Sequence, residues 1–66
     1  MILKNYLMEN GIPISFLARK IGYHSNHVGQ VARGQINPSV RMAMLIEYAT
    51  NGNVKADELV NQIDKP

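Results

Sequence analysis

Residues 14–31 read ISFLARKIGYHSNHVGQV. Counted from Ile14, the fourth, fifth and eighth positions are Leu17, Ala18 and Ile21, and the fifteenth and eighteenth are Val28 and Val31. Three- and four-residue steps put Leu17, Ala18 and Ile21 on one side of a helix over 14–21. Val28, Val31 and Ala32 do the same for a helix over 25–33. Gly22 stands ninth, where a residue free to take positive φ lets the chain turn sharply. Ala18 is small where the second of these helices must cross the first. Leu17, Ile21, Val28 and Val31 then form the seam between them. This is the spacing of a helix-turn-helix unit. Its seam pushes Ser25, Asn26, His27, Gln30 and Arg33 outward.

The flanks continue the helical pattern. Ile2, Leu3, Tyr6 and Leu7 predict a helix over 2–10, stopped by Asn10-Gly11. Val40, Ala43, Met44 and Tyr48 predict the apolar face of a helix over 40–51, with Ser39 as its N-cap. Leu59, Val60 and Ile63 predict a last helix over 56–64, with Asp57 and Glu58 in its first turn, where carboxylates suit the helix dipole. Val54 reads as an isolated β-former in a loop. No strand pattern, repeat or linker interrupts this series. The expected fold is all-α: one domain of five helices over 1–66.

Sixty-six residues exclude two packed domains, and 45% apolar residues argue for a globular chain. A domain this short buries only about 60% of its unfolded surface. With no cysteine, no disulfide or thiolate metal site can supplement the core. Regular helix packing or oligomerisation must supply the stability. No apolar run approaches the roughly 20 residues needed to cross a bilayer. Lys4 interrupts the N-terminal apolar run, so no signal peptide is expected and a cytoplasmic location is the default.

The net charge of +2 is unevenly spread. Between Asn10 and Ile46 there is no Asp or Glu, while Arg19, Lys20, Arg33 and Arg41 give a formal +4, with His24 and His27 beside them. From Glu47 onward the sum is −2. An acid-free basic block suits a polyanionic partner, and a solvated face with chance clustering is the alternative. His24 and His27 lack the further ligands zinc requires, so no metal is expected. No acid pair, Ser-His-Asp set or phosphate-cradling glycine loop is present, so no enzyme is expected.

Residues 17–39, LARKIGYHSNHVGQVARGQINPS, resemble the helix-turn-helix of phage repressor and Cro-type regulators. Residues 46–59, IEYATNGNVKADEL, are similar to the C-terminal half of the small Cro/YdaS-like group, at Ile46, Glu47, Thr50, Gly52 and Val54. The resemblance implies a compact lambda-repressor-like domain whose third helix lies in the DNA major groove while the second spans the backbone. It implies base-reading positions at Ser25, Asn26, Gly29 and Gln30. Asn26 and Gln30, four apart, share a face, and either can bond adenine N6 and N7. Gly29 departs from the family, which usually presents a polar reader there. Close backbone approach to DNA, loss of one base contact, and drift at an exposed position are the three readings of it.

The resemblance also implies phosphate contacts from Ser15, Arg19, His24, Arg33, Gln35 and Asn37. Capping of the second helix is the other reading of Ser15, and turn chemistry that of Gln35 and Asn37. The expected partner is double-stranded DNA, bound by a homodimer on a palindromic operator, formed in solution or only on DNA. The last helix and the 51–55 loop are the expected dimer contacts, with Leu59, Val60 and Ile63 serving there or closing the monomer core. No cofactor, small-molecule ligand or membrane is expected. A phage or prophage repressor is the leading function. An antitoxin of a toxin–antitoxin pair is a second reading, and a protein-interaction module that has lost DNA binding is a third.

Overall fold

The computed structural model describes residues 2–63, and among them five helices and no strand occur. The helices are α1 (Ile2–Glu9), α2 (Ile14–Ile21), α3 (Ser25–Ala32), α4 (Val40–Ala49) and α5 (Ala56–Val60). They enclose one core of Leu3, Leu7, Leu17, Ala18, Ile21, Val28, Val31, Ala32, Met42, Ala43, Ile46, Val54 and Leu59. No helix is long and apolar enough to cross a membrane.

The connection between α2 and α3 follows the expectation closely. Gly22 caps α2 at φ 80°, and its N–H and that of Tyr23 both donate to the Ala18 carbonyl, at 2.9 and 3.0 Å. These bonds satisfy the end of α2 and reverse the chain within three residues. Leu17, Ala18 and Ile21 on α2, with Val28 and Val31 on α3, are all buried. The two helices pack directly on each other, and α1 also packs on α3.

α4 buries a different face from the one its periodicity suggested. Val40, Met44 and Tyr48 are 64, 61 and 83% exposed, whereas Met42, Ala43 and Ile46 are fully buried. Of the four residues expected on the core face, Ala43 alone is there. The reason is local. Eight of the ten α4 residues are apolar, so the spacing fits more than one stripe. The roll is set by polar bonds that periodicity does not see. A Glu47 carboxylate oxygen accepts from Ala56 N at 2.8 Å and caps α5. The buried Thr50 hydroxyl donates to the Ile46 carbonyl at 2.9 Å and accepts from Val54 N at 3.2 Å. Val54 lies in the loop before α5, as the sequence suggests, and is fully buried there with its N–H held by Thr50. Ser39 caps α4 as expected, its Oγ accepting from Met42 N at 3.1 Å.

α5 ends at Val60, short of the expected 64. The chain leaves the helix because side chains elsewhere offer it better partners. The Gln62 amide donates to the carbonyls of Val31 (2.9 Å) and Ile36 (2.8 Å). Ile63 N donates to Asn37 Oδ1 at 2.9 Å, and Asn37 Nδ2 returns a longer bond to the Ile63 carbonyl at 3.4 Å. This clasp fastens the segment after α5 to the end of α3 and the loop beyond it. Asp64, the last residue of the expected helix, lies outside the described residues.

Candidate nucleic-acid interface

α3 presents a polar face because its opposite face is consumed by the core. Val28 and Val31 are fully buried and Ala32 nearly so, while Ser25, Asn26, His27, Gln30 and Arg33 are all exposed. Of the four expected base-reading residues, Ser25, Asn26 and Gln30 therefore share one accessible surface. His24 begins the helix as its N-cap, with Nδ1 accepting from Asn26 N at 3.2 Å. A neutral His24 in this cap carries its proton on Nε2, the nitrogen left free to donate. Tyr23 meets the His27 ring edge-on at 5.9 Å between centroids and supports that side of the helix.

Gly29 differs from the expectation that it is an exposed position. It is buried, and what covers it is the Arg33 side chain. A Cβ built on Gly29 would lie 3.2 Å from Arg33 Nη1 and 3.4 Å from Nη2. The backbone of Gly29 is therefore not open to a ligand, and the surface offered at that slot is guanidinium.

Of the other expected phosphate residues, Ser15, Arg19 and Gln35 are exposed. Ser15 does not cap α2. That position belongs to Pro13, whose carbonyl accepts from Phe16 and Leu17 N–H and which supplies no side-chain acceptor. The N–H groups of Ile14 and Ser15 precede that bonded turn, and Arg19 stands one turn further along. Asn37 has partners of its own. Both atoms of its amide engage Ile63, so its side chain serves the clasp. Its neighbour Pro38 is buried, in keeping with a structural corner.

The whole surface lies within the acid-free block, so no carboxylate from 11–46 competes with an incoming anion. Among the described residues no group of three or more metal-ligating side chains occurs. Two features escaped the sequence reading. The Gly29–Arg33 contact had a signal, a helical glycine four residues before an arginine. The Gln62 clasp had none, since its partners lie 26 and 31 residues away. Comparison of the chain with protein-family models, curated proteins and solved structures returns no match.

Proposed function

We propose that this chain is a sequence-specific double-stranded DNA-binding regulator of lambda-repressor-like architecture. In this reading α2, the Gly22 turn and α3 form a helix-turn-helix unit, and α3 enters the major groove. One observation carries the reading: an exposed row of Ser25, Asn26 and Gln30, backed by a fully buried seam, inside a block that excludes carboxylates. Dimensions agree. An α-helix with its side chains is about 10–12 Å across, and the major groove is about 12 Å wide. Asn26 and Gln30 supply amides that match adenine, and Ser25 a hydroxyl that serves several bases. Ser15, Arg19, His24 and Gln35 hold the backbone and set register. The chain acts as a repressor by occupying an operator, in the manner of phage Cro-type proteins.

One short helix reads too few bases for tight selection, so two copies bind a palindrome with half-sites roughly 34–36 Å apart. The domain measures 33 × 21 × 18 Å, so copies at that spacing meet only with their long dimensions directed at each other. The apolar surface left for such a contact is on α4 rather than α5. Leu59 is fully buried in the monomer and Val60 and Ile63 are half-buried, whereas Val40, Met44 and Tyr48 project.

The test is selection of bound duplexes from a random pool at about 150 mM salt, where weak phosphate-only binding is screened. An enriched inverted repeat is expected. Retained DNA without enrichment would replace sequence-specific regulation with architectural binding. No retention would remove DNA as the partner and leave the fold as a protein-interaction scaffold or an antitoxin that holds its toxin.

A further inference from the structure

Gly29 is a glycine that its backbone does not require. Four glycines of the chain take positive φ, and Gly29 is not among them. It sits in the regular interior of α3, where glycine is a poor helix former. What it supplies is room. The Arg33 guanidinium lies against it, with Cζ 3.6 Å and Nη1 3.2 Å from where a Cβ would be. A separation of 3.2 Å is tighter than ordinary van der Waals contact, so a side chain at 29 would press on the guanidinium.

The arginine has thus folded back one helical turn. This is the direction helical side chains lean, toward the N-terminus over the i−4 residue. Ser25, Gly29 and Arg33 are spaced four apart on one line, beside the line of Asn26 and Gln30. The cationic head is consequently delivered to the middle of α3, at the slot between readers, although its Cα stands past the helix end. Arg33 remains exposed, and residues 11–46 contain no carboxylate to occupy it.

We infer that Arg33 is a base-reading residue for guanine, working from the slot that Gly29 vacates, and not a phosphate contact. The inference rests on the DNA-binding reading above and deepens it. A guanidinium presents paired N–H donors in a fixed fork, and guanine presents O6 and N7 as paired acceptors in the major groove. Lysine has the charge without the fork. Each half-site then combines amide reading by Asn26 and Gln30 with one guanine set by Arg33. The glycine that seemed to remove a reader exchanges a short side chain for a longer one.

The experiment selects duplexes from a random pool with the wild-type protein, Arg33→Lys and Gly29→Ala. It then measures affinity for the best duplex and for its copy carrying 7-deazaguanine at the guanine in question. Circular dichroism verifies that each variant is folded, and Arg33→Lys, an exposed substitution, keeps the test intact if Gly29→Ala is not. The expected wild-type site holds one strongly preferred guanine per half-site. Arg33→Lys should lose about 5- to 150-fold of preference at that position alone, with an unchanged slope of log affinity against log salt. Gly29→Ala should relax the same position, and the 7-deaza duplex should weaken wild type but not Arg33→Lys. If Arg33→Lys keeps the selected sequence while Arg33→Ala, measured alongside on the same duplexes, weakens all of them equally and lowers the salt slope by about one, Arg33 is a phosphate contact and the inference is overturned. If wild type retains no duplex, the DNA-binding reading fails first and takes this inference with it. The two failures are thereby distinguishable.

Discussion

Replacing Gln62 by methionine tests the clasp with little change of volume. Gln62 Nε2 donates to two carbonyls, those of Val31 at 2.9 Å and Ile36 at 2.8 Å. Its orientation is chemically fixed, since a flipped amide would set oxygen against two oxygens. The substitution does not harm the two acceptors equally. The Val31 carbonyl also accepts from Gly34 N at 3.0 Å and keeps that partner. The Ile36 carbonyl has no other partner among the described residues. Two net hydrogen bonds are worth about 1–3 kcal/mol, and a stranded carbonyl belongs to the upper part of that range. Against this, Gln62 Oε1 is itself buried without a partner among the described residues, and its removal returns part of the loss. The balance is a destabilisation of about 1–2 kcal/mol. For a domain of this size that lowers Tm by about 4–16 °C. Urea unfolding followed by circular dichroism reads the shift in midpoint at constant m. Asn61→Ala, next to Gln62 but exposed and bonded only within α5, is the control and should change stability far less. A midpoint for Gln62→Met equal to that of the control would refute the reasoning and reduce the clasp to a surface contact.

Gly22→Ala should destabilise the fold by about 1–2 kcal/mol, because φ 80° is left-handed even though space for a Cβ is open; an unchanged thermal melt would contradict the assigned turn. Asn26→Ala and Gln30→Ala should each weaken specific binding by about 1–3 kcal/mol and relax one position per half-site. Unaltered preference in both, measured by competition between duplexes, would remove α3 from the groove. Tyr48→Ser should shift the melting midpoint by no more than about 0.5 kcal/mol of stability, since the side chain is 83% exposed. The same variant should reduce cooperative binding to a two-half-site duplex while leaving single half-site affinity intact. Loss of half-site affinity instead would mean that the α4 face touches DNA.

The turn between α2 and α3 was legible because its requirements are local and few. A small Ala18, a left-handed Gly22 and four seam residues sit at fixed offsets, and no distant contact alters them. The cap at Ser39 was readable for the same reason. α4 was not, since an almost wholly apolar helix carries no record of which side faces inward. Its roll is fixed by Glu47 and Thr50 acting on the chain beyond it. Asn37 hides a long-range role instead. Placed before Pro38, it looked like turn chemistry or a polar loop residue near DNA, and its actual partner is 26 residues downstream. Ser25, Asn26 and Gln30 could be placed from the pattern because they are the residues the seam excludes. Arg33 could be placed on α3, but where its head lies depends on a missing Cβ four residues earlier.

None of the five helices exceeds ten residues. Isolated helices below about 12–15 residues are marginal in water, so none of these survives apart from its neighbours. The polar surface on α3 therefore cannot outlive the core: it is assembled and dismantled with the whole domain. Amide protons across α1 to α4 should exchange through one common opening, with no sub-domain that retains α3 after α4 has gone. Under the proposed function, which works by occupancy, folding stability then sets the concentration of competent molecules directly. A loss of 1.4 kcal/mol raises the unfolded population tenfold, and the cell's proteases act on that population. The same brevity that keeps the chain small thus couples its dose to its thermodynamics, without any residue at the interface being changed.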